Sequence, residues 1–422
     1  MNYTVNLTGN KNSKDGSILS KVGDFRKEMA QHETKGLNNY KKHPHLSACD
    51  RTSIIHNRHT GKDIDTVMFG SNSYLGATIF DEAIEFSIEA TRKFGIGSGG
   101  VPLLTGTTIY HNLLEKTIAE KTGFDDAILF SSGYTANLGI ISGLIRSNHL
   151  VIHDKLNHAS LLDATALSGA KMARFRHGDI SDLKRLLESN AGKFPGGILV
   201  VTDGVFSMDG DIAKLPEILE VVRQYDAILL IDEAHAIGVI GKKGAGTLSH
   251  YDITERDKII VTGTLSKAIG TVGGYITASQ DIIDYLRIYA RSNMFSTSLP
   301  PSVCAGALAV FKKIDESGIV ESLLRNTKYL HRSLRDAGFN LLNTETPIIP
   351  LVVGNANILT YMVKDAFEHG YFVNAIFPPA VPANLTRFRI SVMASHTKED
   401  MDGLVDLMTF LFEKYGLPRY VG

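Results

Sequence analysis

Cysteine is scarce in this 422-residue chain. Cys49 and Cys304 stand far apart, so there is no disulfide framework and the thiols fit a reducing compartment. Net charge is small as well, −1 at pH 7 with histidine neutral, which excludes a chain built to hold nucleic acid or to lie on an anionic membrane. Long apolar runs are missing. No window reaches the ~18 apolar residues of a membrane-spanning helix, and the N-terminal MNYTVNLTGNKNSKDGS lacks the apolar centre of a secretory leader. Neither H-E-x-x-H nor C-x-x-C occurs, and the His43/His45 and His56/His59 pairs lack a convincing ligand set for a metal site. There are no internal repeats. The remainder is ordinary for a globular protein: 43% hydrophobic and 21% charged residues, in a chain long enough for two or more packed subdomains. These bounds predict a cytoplasmic enzyme or binding protein.

Residues 1–17 are rich in Asn, Lys and Gly and are expected to be mobile. Helical periodicity runs from Leu19 to Tyr40 and ends near the basic KKHPH at Lys41–His45. Val67-Met68-Phe69 is a short strand leading into GSNSYLG, and Asp81–Phe94 is an amphipathic helix closed by the glycines of 95–100. A repeating order of strand, loop and helix follows. Strands are predicted at Ala127–Phe130, Leu150–Asp154, Gly197–Asp203, Ala227–Asp232, Ile259–Thr262 and Gly274–Thr277, with SSGYTAN as a loop and a helix over Leu138–Arg146. Continuous β-branched runs separated by helices predict an α/β fold, a mostly parallel sheet with helices on both faces. Beyond about Ser302 come a long helix, the extended TPIIPLVV and FPPAVP, an alternating strand in RFRISVMA and a last helix from Lys398 to Tyr415. The predicted organisation is a mobile segment with helical arm over 1–65, a large domain over 66–301 and a smaller α+β subdomain over 302–422.

Polar residues gather just past the carboxyl ends of the strands, where open α/β sheets bind ligands. Asp232 ends the apolar strand of LLIDEAHAIGVIG, so its carboxylate is desolvated and needs a cationic or donor partner. Alone it fits equally a cap on the next turn. Lys267 follows another apolar strand in IIVTGTLSKAIGTVGGYI, among small residues, where burial makes an amine nucleophilic; alone it could be an exposed loop lysine. Thr264 offers a hydroxyl three residues earlier. Ser132-Gly133-Tyr134-Thr135 lies between a strand and a helix, where backbone N–H groups bind anions. His158 in HDKLNHASLLD and Ser207 in TDGVFSMDGD follow further strands, and His235 stands three residues past Asp232. An anion, a reactive amine and a phosphate cradle are the three anchors that pyridoxal 5′-phosphate (PLP) requires. The literal G-x-G-x-x-G at Gly95–Gly100 follows a helix rather than a strand, so the dinucleotide-binding reading fails.

With these motifs in place the sequence resembles the α-oxoamine synthase family of fold-type-I PLP enzymes, from about Lys35 to the C-terminus. The resembling segments are MFGSNSYLG, the glycine cluster with LLTGT, LFSSGYTANLG, HDKLNHASLLD, TDGVFSMDGD, DEAHAIGVIGKKGAG, GTLSK, MFSTSLPP and RFRISVMASHT. The resemblance implies a fold-type-I transferase fold with Lys267 as the Schiff-base lysine and Asp232 as the partner of the pyridine nitrogen. It implies His158 stacked on the ring, His235 and Ser207 near the phenolic oxygen, and Gly133, Tyr134 and Thr264 on the phosphate. Ser296 and Thr297 of MFSTS would complete that phosphate site from the other subunit of a homodimer. Asn72 would lie near the substrate, and Arg389 would receive the amino-acid carboxylate through its bidentate fork.

The implied activity is decarboxylative condensation of a small amino acid (serine favoured, glycine or alanine possible) with an acyl-CoA or carrier-protein thioester. Lys267 would act as base at Cα. Within the family the segments MFGSNSYLG, TDGVFSMDGDI and TPIIP look most like the bacterial serine palmitoyltransferase branch, with its long-chain acyl donor. One departure stands out: Val101-Pro102 replace the small hydroxylated residue and arginine usual after the glycine cluster, which leaves the acyl donor open. An aminotransferase or lyase on the same fold, and a non-enzymatic PLP-fold regulator, are the competing classes.

Overall fold

The computed structural model describes residues 18–33 and 43–419. The expected mobile segment 1–17, the continuation of the first helix through 34–40, and Lys41 and Lys42 of KKHPH lie outside the described residues. The first helix itself spans Ile18–Glu33. By contact the chain forms two units. The larger comprises Asn72–Ser207 and Asp211–Leu324; the smaller comprises the described residues up to Ser71, Met208–Gly210 and those from Arg325 onward.

Among the described residues, the larger unit is built on a seven-stranded sheet: β1 (Asp126–Phe130), β2 (Leu150–Asp154), β3 (Lys171–Phe175), β4 (Ile198–Asp203), β5 (Ile228–Asp232), β6 (Ile259–Thr264) and β7 (Gly274–Ala278). Their spatial order is β1-β7-β6-β5-β4-β2-β3. Only β7 runs against its neighbours, pairing antiparallel with β1 and β6, while every other pair is parallel. The sheet is thus mostly parallel. Its inner strands are buried almost end to end, as LVIHD, ILVVTD and IIVTGT require. On one face Val151, Leu199, Val201, Leu230 and Ile260 meet Ile140 and Ile141 of the helix Gly133–Leu144, Leu161 and Ala164 of Ala159–Ser168, and Ile283 and Leu286 of Gln280–Tyr289. Each fully buried aliphatic side chain there contributes roughly 1.5–3 kcal/mol.

Two local features depart from the sequence reading. Strand β3 has no apolar run, since KMARF sits at the sheet edge with its lysine, methionine and arginine outside the core. The helix expected from Leu138 begins at Gly133, so SSGYTAN supplies its cap and first turns rather than a loop. Ser132 and Thr135 cap it reciprocally: Ser132 Oγ accepts from Thr135 N at 3.1 Å, and Thr135 Oγ1 accepts from Ser132 N at 3.0 Å.

The single long helix expected after Ser302 is two, Pro301–Glu316 and Ile319–Asp336, separated at Gly318 with φ 65°. The first packs on Asp81–Phe94 and Ile109–Thr122 and groups with the larger unit. The smaller unit holds two three-stranded sheets. Thr52–Asn57 pairs antiparallel with Lys62–Met68, which pairs parallel with Tyr371–Phe372. Arg387–Ser391, the alternating RFRIS, lies between Ile348–Val352 and Asn374–Ile376 and is buried throughout. Among the described residues no helix is long and apolar enough to cross a membrane.

In the larger unit one histidine ties three segments together. His177, just past β3, points Nδ1 at Asp154 Oδ1 and Nε2 at Asp211 Oδ2, both at 2.9 Å. Burial pulls its pKa down, but hydrogen bonds and charge from Asp154 and Asp211 outweigh that and raise it to about 10. Because the folded value exceeds the unfolded one, this clamp stabilises the fold fully below the ordinary histidine range and is lost as pH rises through about 10. A His177→Gln protein is therefore expected to show a urea midpoint below wild type at pH 6, with the gap closing by pH 10. A gap independent of pH would contradict the clamp.

Candidate active site

The carboxyl ends of β2, β4, β5 and β6 and the N-terminus of the helix Gly133–Leu144 enclose a cavity of about 250 Å³ lined by Gly133, Tyr134, His158, Asp232, His235, Thr264 and Lys267, among others. Seven residues singled out from sequence therefore share one cavity. Asp232 is 6% exposed. Its Oδ1 accepts from Ala234 N at 2.9 Å and its Oδ2 from Asn137 Nδ2 at 2.7 Å. Across the β4–β5 pair its register partner is Asp203, 4% exposed. Burial first, and the Asp232 charge second, push Asp203 well above the usual carboxylate range. Two neighbouring buried carboxylates cannot both ionise cheaply, which is the cause of that upward push.

His158 caps the helix Ala159–Ser168, its ring accepting from Ser160 N at 3.3 Å, and its backbone N–H donates to Asp203 Oδ1 at 3.2 Å. Desolvation lowers its pKa, with the Lys267 charge acting the same way and Asp232 and Asp163 opposing, so the ring is held neutral. Lys267 is half-buried in the turn after β6, where Gly270 N bonds its carbonyl at 3.0 Å. Thr264 Oγ1 donates to Gly273 O at 2.9 Å and lies 2.8 Å from Ser266 Oγ, a hydroxyl facing the same cavity. His235 Nδ1 lies 2.7 Å from the hydroxyl of Tyr74, a fully buried ring from SNSYLG.

Other predicted residues lie elsewhere. Ser207 does not line this cavity; Asp203 and Val205 of the same segment do. Asn72 is outside the lining as well, its carbonyl accepting from Tyr74 N at 2.8 Å. Ser296 and Thr297 line a different cavity of about 230 Å³ together with His111, Glu115 and Arg287. Arg389 belongs to the smaller unit, 4% exposed, and its Nη1 donates to Ser391 Oγ at 3.0 Å. Sequence reasoning missed Asn137, Ser160, Asp203, Ser266 and Tyr74. All five stand inside motifs already singled out, and that adjacency was the signal available.

The cavity suits PLP. The first-turn N–H groups of Gly133 and Tyr134 have no acceptor within their helix, which is where a phosphate binds. A Cβ on Gly133 would stand 3.0 Å from Thr264 Cβ, a contact that a larger residue could make only by pushing the helix end and β6 apart by a few tenths of an ångström. An amine and an ionisable carboxylate complete the donor set.

A mostly parallel sheet whose strand ends gather lysine, aspartate, histidine and an anion cradle defines a fold-type-I PLP enzyme. The family described as aminotransferase class I and II matches residues 64–407. The serine palmitoyltransferase of Sphingobacterium spiritivorum is 40% identical over 403 residues, covering 94% of this chain and 98% of that protein. The 8-amino-7-oxononanoate synthase of Thermoanaerobacter pseudethanolicus is 38% identical over 394 residues, covering 93% and 97%. A high-resolution structure of SPT with PLP internal aldimine matches with a TM-score of 0.89 at 32% identity, covering 95% of this chain and all of that one. The chain belongs to the class I and II aminotransferase family, within its α-oxoamine synthase group of PLP-dependent acyltransferases.

The close approach at Gly133 gives a direct test. A Gly133→Val protein is expected to bind PLP about 10–100-fold more weakly, the worth of one or two hydrogen bonds to a charged group. The loss should exceed what any fall in its cofactor-free melting temperature, measured alongside, accounts for. Unchanged PLP affinity, measured by titrating the cofactor-free protein, would show that the phosphate binds elsewhere.

Proposed function

We propose that this enzyme condenses serine with a long-chain acyl thioester in the cytoplasm, releasing CO₂ and thiol and forming an α-amino ketone. The observation that carries the proposal is the sharing of one cavity by Lys267, Asp232 and His158. Serine is favoured by the match to serine palmitoyltransferase across 94% of the chain. In the balanced reaction a bond forms between the amino acid's Cα and the acyl carbonyl carbon. The C–S bond breaks to give thiol, the bond to the carboxylate breaks to give CO₂, and a proton returns to Cα.

When bound, PLP supplies an electron sink for the negative charge that develops at Cα. Asp232 would pair with its ring nitrogen. A neutral His158 can cover a cationic ring without repulsion, which a protonated imidazole could not. Gly133, Tyr134 and Thr264 would hold the phosphate, with Ser296 and Thr297 serving that of the partner in a homodimer. His235, oriented by Tyr74, and Ser207 would lie toward the phenolic oxygen, and Asn72 toward the substrate. Lys267, once freed by the substrate amine, would remove and return the proton at Cα. Arg389 would serve the substrate carboxylate, the role the family resemblance gives it.

A second reading, an 8-amino-7-oxononanoate synthase-type branch, is favoured by the 38% identity across 93% of the chain. Assays with serine, glycine and alanine against palmitoyl-CoA and shorter acyl-CoAs separate the two. The expected result is fastest turnover with serine and a long chain, with thiol and CO₂ released one to one. Formation of 8-amino-7-oxononanoate would select the second branch, and keto-acid formation without any thioester would refute both. Lys267→Ala should lower turnover by roughly 10²–10⁴-fold or more.

A further inference from the structure

Asn137, in the second turn of the helix Gly133–Leu144, is 2% exposed and has none of the roles assigned above. Its amide is fully engaged. Nδ2 donates to Asp232 Oδ2 at 2.7 Å and to Ser160 Oγ at 2.8 Å, and Oδ1 accepts from Thr262 Oγ1 at 2.7 Å. These partners fix the direction of the amide. Reversed, its oxygen would face the Asp232 carboxylate, two acceptors opposed in a buried place.

Ser160, fully buried, accepts from Asn137 and so keeps its single proton for another acceptor. His158 Nδ1 lies 2.7 Å from that hydroxyl and also receives Ser160 N at 3.3 Å. With two donors aimed at it, Nδ1 accepts, and the neutral ring carries its proton on Nε2.

We propose that Asn137 is a positioning residue that couples the two cofactor-facing groups, orienting the Asp232 carboxylate directly and imposing the Nε2–H tautomer on His158 through Ser160. This rests on the reading of Asp232 and His158 as the groups that hold the PLP ring. A mere brace between helix and sheet would need only a side chain of the right volume. The four-way arrangement needs two donors, one toward an anion and one toward a hydroxyl, and an acceptor for a second hydroxyl. Aspartate offers no donor, and leucine offers neither donor nor acceptor. The charged groups acting on the His158 ring are Asp232, Lys267 and Asp163, none of which bonds Nδ1, so the tautomer is set by the neutral chain.

Two measurements on the cofactor-free protein test this. In ¹⁵N-histidine-labelled protein, with the His158 signal assigned by its loss in His158→Asn, the wild type is expected to show a proton on Nε2 and an accepting Nδ1. Ser160→Ala removes the shorter of the two donors to Nδ1, keeps the longer backbone one and leaves Asp232 and Asn137 in place; it should weaken the preference for the Nε2–H tautomer and shift the titration of His158. PLP titration should find Asn137→Asp weakened about 10–100-fold, as loss of a hydrogen bond to a charged group implies, and Ser160→Ala weakened less. An unchanged His158 tautomer in Ser160→Ala, or wild-type PLP affinity in Asn137→Asp, overturns the coupling. Asp232→Asn separates the two levels: if it binds PLP as wild type does, the cofactor reading itself fails. If it loses PLP while Asn137→Asp does not, only the role of Asn137 fails.

Discussion

Everything at this site is arranged around a carboxylate that the sheet would otherwise reject. Asp232 ends a strand of otherwise apolar residues and is nearly shut off from solvent. Burying such a group requires hydrogen-bond donors on both oxygens, which come from Ala234 N and Asn137 Nδ2. A second carboxyl, Asp203, stands beside it in register, and burial together with the Asp232 charge pushes its pKa well above the usual carboxylate range. The result is a hydrogen-bonded carboxylate at the floor of a cavity, with an amine, an imidazole and a helix N-terminus facing the same space. A cationic aromatic ring bearing a phosphate matches that distribution of charge, and PLP is such a molecule.

The helix terminus and the carboxylate are linked through the same few residues. Gly133 lets its helix come close to Thr264, and one turn later the same helix delivers Asn137 to Asp232. The spacing between phosphate cradle and anion is therefore set by one rigid element, whose start is pinned by the reciprocal capping of Ser132 and Thr135. Helix position, anion orientation and histidine tautomer are three aspects of one hydrogen-bonded assembly.

Much of this was legible in the sequence. Asp232 and Lys267 stood out because each follows a run apolar enough to be an inner strand, and a polar residue ending such a run must face the ligand side of the sheet. Strand β3 was not legible, because an edge strand needs no apolar run and KMARF has none. Asn137 and Ser160 stand inside quoted motifs, but what they do there was illegible for a different reason. Their importance comes from the order β1-β7-β6-β5-β4-β2-β3, which brings positions 137, 160, 232 and 262 together, and no local pattern encodes that order. Ser296 and Thr297 were named through family resemblance, and they line a cavity apart from that of Lys267 in the same chain.

All of these roles require Lys267 to be the residue that bonds covalently to PLP. Treating the PLP-loaded protein with borohydride fixes the cofactor on the amine that carries it, and peptide mass mapping then reads the position. A single modified peptide is expected, with the adduct on Lys267 and no adduct in Lys267→Ala. An adduct on another lysine, or a loaded protein that borohydride leaves unmodified, would contradict it.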